Sequence, residues 1–148
     1  SDDVSQLSVQ NSTTTFVDNI RSTGRITLAD YNKFAQEINA TGNTYDIEIE
    51  VKVLDENPGK KTAQTTYEKI GENVYYTEYT TQIMEDLNDA SNNNTKYLKE
   101  GDIVSVSVKN TNTTISQLLR NFFYRVTGND SSTIGASNGG IVTVNGRN

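Results

Sequence analysis

Histidine, cysteine and tryptophan are all missing from this 148-residue chain, and proline and methionine occur once each, as Pro58 and Met84. Without cysteine there are no disulfides, thiolate metal sites or thiol nucleophiles. Without histidine the chain lacks the one side chain whose ordinary pKa allows proton exchange near neutrality. Long hydrophobic runs are also lacking: no stretch approaches the roughly 20 apolar residues that a membrane span needs. Basic residues are outnumbered, 13 against 19 acidic, for a formal charge of -6. A surface of that sign repels phosphate backbones and anionic headgroups, so nucleic acid is not an expected partner.

What is abundant is Asn, Thr and Ser, with 33% of residues apolar and 22% charged. The length suits a single domain, 1–148, with its own core. The chain starts at Ser1 and its only methionine is Met84. The expectation is a soluble ectodomain whose membrane anchor, where one exists, lies upstream.

Periodicity supplies the elements. Val4, Leu7, Val17 and Ile20 fall at approximately helical intervals, predicting a helix over 4–23 that ends before Gly24. Thr27 and Asp30 resemble a capping box, opening a second helix with Leu28, Tyr31, Phe34, Ala35 and Ile38 on one stripe and Gly42 as its stop. The period then changes to two: Tyr45, Ile47, Ile49, Val51 and Val53 alternate with Asp46, Glu48, Glu50 and Lys52, predicting a half-buried strand. A turn at Asn57-Pro58-Gly59 leads into strand residues Tyr67, Val74, Tyr75 and Tyr76. Ile83, Met84 and Leu87 suggest a short helix near 80–90, Asn92-Asn93-Asn94 a loop, and Asp102 to Val108 a further strand. Thr114 and Gln117 cap a last helix carrying Ile115, Leu118, Leu119, Phe122, Phe123 and Val126. A terminal hairpin is expected, with Ile134 and Ala136 before an Asn138-Gly139-Gly140 turn and Ile141 to Val144 after it. Strands mostly follow strands, which predicts an α+β fold: a long N-terminal helix and further helices packed on one face of a small, mainly antiparallel sheet.

Motifs that would carry chemistry fail on their own requirements. Gly135-Ala136-Ser137-Asn138-Gly139 matches a nucleophile elbow, yet the mechanism needs a histidine, which the chain lacks. Gly59-Lys60-Lys61-Thr62 has Leu54 where a phosphate loop needs its first glycine and Lys61 where it needs Ser or Thr. Glu85-Asp86-Leu87-Asn88-Asp89 and Asn129-Asp130-Ser131 are rich in oxygen ligands but depart from calcium-loop spacing. Five N-x-Ser/Thr sequons occur, and 18 Asn with 32 Ser plus Thr predict about four by chance, so they do not argue for glycosylation. Lys52 and Lys109 read as surface lysines, not as isopeptide donors. Glu48 and Glu50 lie about 7 Å apart along one strand face, within glycosidase range, but belong to the polar half of a regular alternation. No catalytic residue, cofactor or metal is therefore expected.

The stretch Phe16-Val17-Asp18-Asn19-Ile20-Arg21-Ser22-Thr23-Gly24-Arg25-Ile26-Thr27, followed by Asp30-Tyr31, Gly42-Asn43-Thr44-Tyr45-Asp46 and Lys99-Glu100-Gly101-Asp102-Ile103-Val104, resembles the soluble part of a type IV pilin-like or TadE-like minor pseudopilin of Gram-positive bacteria. The resemblance implies an N-terminal helix leading from a membrane anchor into a small sheet. It also implies an extracytoplasmic site, other pilus or envelope-assembly proteins as partners, homo-oligomers, and a structural role. The helix would pack through Val4, Leu7, Val17 and Ile20, while Tyr75, Tyr76 and Tyr79 would be the ligand contacts of the first alternative. The alternatives are a secreted or surface binding module (adhesin, conjugation or phage-structural) and, behind it, an acid-residue cell-wall glycosidase using Glu48 and Glu50.

Overall fold

The computed structural model describes residues 2–42, 44–55, 74–111 and 134–147, with side chains from Gln6 onward in the first segment and from Ala136 onward in the last. The expected turn at 57–59, Tyr67 and the expected helix over 114–126 lie outside them. The described elements are helix α1 (Asp2–Thr23), strand β1 (Arg25–Thr27), helix α2 (Leu28–Asn39), strand β2 (Tyr45–Asp55), strand β3 (Val74–Glu78), helix α3 (Thr80–Leu87), strand β4 (Thr95–Tyr97), strand β5 (Ile103–Asn110) and strand β6 (Ile134–Ile141). Together they make an α+β fold with two open antiparallel sheets, one of β1 and β4 and one in the order β3-β2-β5-β6.

The alternation in β2 and β5 sorts the larger sheet into two faces. Ile49 and Val51 stand across from Val106 and Val104 in register, and with Val108 they are fully buried. On this inner face α1 supplies Val9, Phe16, Val17 and Ile20, α2 supplies Phe34 and Ile38, and α3 supplies Ile83 and Leu87. Phe16 and Phe34 stack with ring centroids 4.5 Å apart, joining α1 to α2. The opposite face carries Asp46, Glu48, Glu50 and Lys52 toward solvent, opposite Lys109, Ser107, Ser105 and Ile103.

The capping pattern at α2 forms as the sequence predicts: Asp30 N–H donates to Thr27 Oγ1 at 3.0 Å. Asp30 also reaches back to α1, accepting from Asn19 Nδ2 at 3.1 Å.

Three expectations change. In α1 the inward stripe is Val9, Thr13, Phe16, Val17 and Ile20, whereas Leu7 points outward. Thr13 can be wholly buried because its hydroxyl donates to Val9 O at 2.7 Å, one turn back, leaving its methyl to pack. Second, Asn138-Gly139-Gly140 is not a turn. It lies within β6, which runs straight through it, paired with β5 from Ile103↔Ile141 to Val108↔Ala136. The glycines answer to neighbours, not to a reversal of the chain. A Cβ at Gly139 would stand 2.8 Å from Val104 O, and one at Gly140 would stand 2.6 Å from Arg21 Nε. Third, Arg25–Thr27, of which only Thr27 is assigned from the sequence, as a helix cap, forms a strand paired with Thr95–Tyr97.

The inner face of β6 is thus Ala136, Asn138 and Gly140, a strip of low bulk on which α1 lies. Asn138 Nδ2 donates to Thr14 Oγ1 at 2.9 Å, Gln10 Nε2 to Ser137 O at 3.4 Å and Arg21 Nε to Ile141 O at 2.8 Å. Two carbonyls of β6, the last strand of the described sheet, are engaged in this way, which blunts that edge.

Beyond β6 the chain crosses the end of α1. Thr143 N–H donates to Arg21 O, and Gly146 N–H to Leu98 O, while Leu98 N–H donates to Gly24 O. Gly24 has φ +69°, and a Cβ there would lie 2.5 Å from Gly146 N. Gly42 shares the left-handed conformation, φ +88°, but has open space around it. Gly24→Ala therefore carries both strain and a backbone clash and should lose about 3 kcal/mol, against about 1 kcal/mol for Gly42→Ala. Urea denaturation of the two variants measures the difference directly.

Candidate functional site

The proposed interaction residues do not form one surface. Val17 and Ile20 are fully buried in the chain's own core and are corrected from partner contacts to core residues. Val4 lies in α1, and its side chain is outside the description. Leu7 is 61% exposed. In β3, Tyr75 stands across from Leu54 and Tyr76 across from Val53, so consecutive tyrosines point to opposite faces of the sheet. Tyr76 and Tyr79 are exposed, the latter just before α3, where its N–H donates to Gln82 Oε1 at 2.8 Å. Glu48 lies on the solvent face with its carboxylate 3.7 Å from Lys109 Nζ, and Glu50 beside it is also exposed.

β2 is the longest of the described strands, and side chains complete its ladder where its neighbours stop. Past the end of β3, the Thr80 hydroxyl accepts from Ile49 N–H at 2.9 Å and donates to Ile49 O at 3.3 Å. Before the start of β5, Asp102 and Lys99 do the same for Leu54. Asp102 Oδ1 accepts from Leu54 N–H at 2.8 Å, and Lys99 Nζ donates to Leu54 O at 2.8 Å. Asp102 is buried, yet satisfied: Oδ2 takes Lys99 N–H at 2.9 Å, and Lys99 Nζ lies 3.0 Å from Oδ1. Gly101 between them has φ +96°, and any Cβ there would meet Leu54 Cδ2 at 2.8 Å. The Lys99-Glu100-Gly101-Asp102 sequence is accounted for by this ladder extension. Asp102→Ala strands the Leu54 and Lys99 amides and unpairs Lys99, for a loss of about 3 kcal/mol in chemical denaturation.

A second ion cluster joins β4 to its surroundings. Lys96 Nζ contacts the Glu78 carboxylate in β3 and lies 3.5 Å from Asp86 Oδ2 in α3. Burial opposes the Lys96 charge, but the Glu78 and Asp86 carboxylates outweigh it and leave the pKa above the ordinary 10.5. Burial alone raises Tyr31 above its ordinary 10.0. In both cases the folded chain holds its proton more tightly than the unfolded chain does. Their stabilisation is complete below the ordinary values and is lost as pH rises through the folded ones. The urea midpoint should fall as pH rises past about 10, and Lys96→Met should flatten part of that fall.

The remaining cluster sits where the C-terminal segment meets the small sheet. Arg25 and Tyr97 are cross-strand partners, and the Arg25 guanidinium lies 5.7 Å from the ring centroid. Arg147 stacks over the same ring at 4.1 Å, with Nη2 donating to Asn92 Oδ1 at 2.8 Å. Arg25 Nε donates to Gly146 O at 2.8 Å, and Asn93 Nδ2 to the Tyr97 hydroxyl at 3.2 Å. Among the described residues neither guanidinium is ion-paired with a carboxylate. The sequence gives no hint of this grouping, since three-residue strands show no periodicity and Arg147 arrives from the far end of the chain.

Among the described residues no three acidic side chains come together as metal ligands, and no helix is long and apolar enough to cross a membrane. No family model matches the chain, and no curated protein and no solved structure is significantly similar to it.

Proposed function

We propose that this chain is a non-catalytic, extracytoplasmic assembly domain of the pilin-like kind, working through its surface within the cell envelope. The observation that carries the reading is the placement of α1. Gln10, Thr14 and Arg21 hold the helix on the low-bulk strip of β6, and on the same stripe, about one turn before Gln10, Leu7 is the most exposed large apolar side chain described. A helix fixed along an antiparallel sheet with an apolar side chain left outward is suited to packing beside another subunit. The described polar side chains that are buried, Thr13, Thr95 and Asp102, are all engaged in holding the fold.

A second reading, a surface binding module, draws on Tyr76 and Tyr79. Both rings are exposed near the β3 edge, and aromatic side chains supply contact area at low entropic cost. The two readings part on Leu7 and the tyrosines. Leu7→Glu should leave the melting temperature within about 1 °C of the parent, because the side chain is already solvated. The same change should remove the protein from sheared surface material in cells producing the full-length gene product. Protein that stays inaccessible to protease added outside intact cells would overturn the envelope reading. Retention in sheared material despite Leu7→Glu, with loss on Tyr76→Ala/Tyr79→Ala, would favour the binding module.

A further inference from the structure

We infer that the Arg25–Tyr97–Arg147 corner is the docking point for the acidic sheet face of a second copy of this chain, giving a head-to-tail contact; the inference rests on the assembly reading above.

The corner is a concentration of one charge in a chain of the opposite sign, with net charge -6. Two guanidinium groups converge on the Tyr97 ring at 4.1 and 5.7 Å with no carboxylate paired to either among the described residues. Like charges brought together cost free energy unless an anion joins them. Each guanidinium has five N–H donors, and the hydrogen bonds to Asn92 and Gly146 engage one on each. Those two bonds and the shared ring fix the orientation of both groups, so little side-chain entropy is lost when a carboxylate arrives.

The complementary surface is on the same molecule. Asp46, Glu48 and Glu50 project from alternate positions of β2 on the solvent face, which Lys52 and Lys109 share, leaving it one acidic charge in excess; among the described residues Lys109 is the one cation paired with any of the three. The Arg corner follows from the end of the sheet where β6 ends at Ile141 and β5 begins at Ile103. Along β5 from Ile103, Ser105 opposite Glu50 is two residues on and Lys109 opposite Asp46 is six, roughly 7 and 20 Å of strand. Among the described residues none of these carboxylates pairs with either guanidinium of its own chain. Between copies they form a heterologous contact, which propagates instead of closing into a twofold dimer.

Sedimentation velocity of the whole chain at about 50 mM and about 500 mM NaCl tests this, since exposed ion pairs weaken as salt screens them. The expected result is concentration-dependent oligomers at low salt, weakened about tenfold or more at high salt. Arg25→Glu/Arg147→Glu should abolish association, and so should Glu48→Lys/Glu50→Lys, whose positions are solvated and leave folding undisturbed. An equimolar mixture of the two variants should associate again, because each face then meets its opposite. A parent chain that stays monomeric at low salt would overturn the inference, as would association that either pair of substitutions leaves untouched, or variants that fail to recover on mixing. The surface location read by external protease is independent of these outcomes, so the assembly reading stands or falls separately.

Discussion

The structure depends on how closely α1 can approach β6. That distance is set by side chains that are not there. With Ala136, Asn138 and Gly140 as its inner face, β6 offers a shallow strip, and the Arg21 side chain lies in the space a Cβ on Gly140 would take. From this contact three consequences follow in order. The helix is oriented so that Val9, Phe16, Val17 and Ile20 enter the core while Leu7 faces away. Arg21 covers the Ile141 carbonyl. The segment after β6 is directed across Gly24 and brings Arg147 onto Tyr97. The candidate surfaces are thus downstream of one packing event.

Polar residues do much of the structural work in this fold, which reconciles a 33% apolar composition with a closed core. Thr13 returns its hydroxyl to the helix, Thr80 extends the β3 side of the β2 ladder, and Asp102 with Lys99 extends the β5 side. Each arrangement satisfies groups that would otherwise be buried without partners, a cost of about 1–3 kcal/mol apiece. The threonine and asparagine content is therefore partly a hydrogen-bonding framework, as Asn138–Thr14 and Asn19–Asp30 also illustrate.

Where a signal is local and periodic, the sequence discloses the fold: the alternation of Tyr45–Val53, the strand at 103–108, the Thr27–Asp30 cap and the Ile83–Leu87 helix all form. The misreadings share a cause. Asn138-Gly139-Gly140 has the composition of a turn, and only the proximity of Val104 O and Arg21 reveals why glycine is required in a strand. Leu7 fits an apolar interval while Thr13 does not, yet local back-bonding makes Thr13 the buried residue. Strands of three residues, such as Arg25–Thr27, are too short to show a period at all. For the candidate site, exposure of Leu7, Tyr76 and Tyr79 is a tertiary property, and the Arg25–Tyr97–Arg147 grouping joins segments over 120 residues apart.

Amide hydrogen exchange on Gly140→Leu tests the dependence on close α1–β6 approach most directly. A side chain at this position must displace Arg21 and lift the helix end. Thr143, whose N–H donates to Arg21 O, should then exchange markedly faster while the β2 and β5 amides near Val51 and Val104 keep their protection. Unchanged protection at Thr143 in a folded Gly140→Leu variant would contradict it.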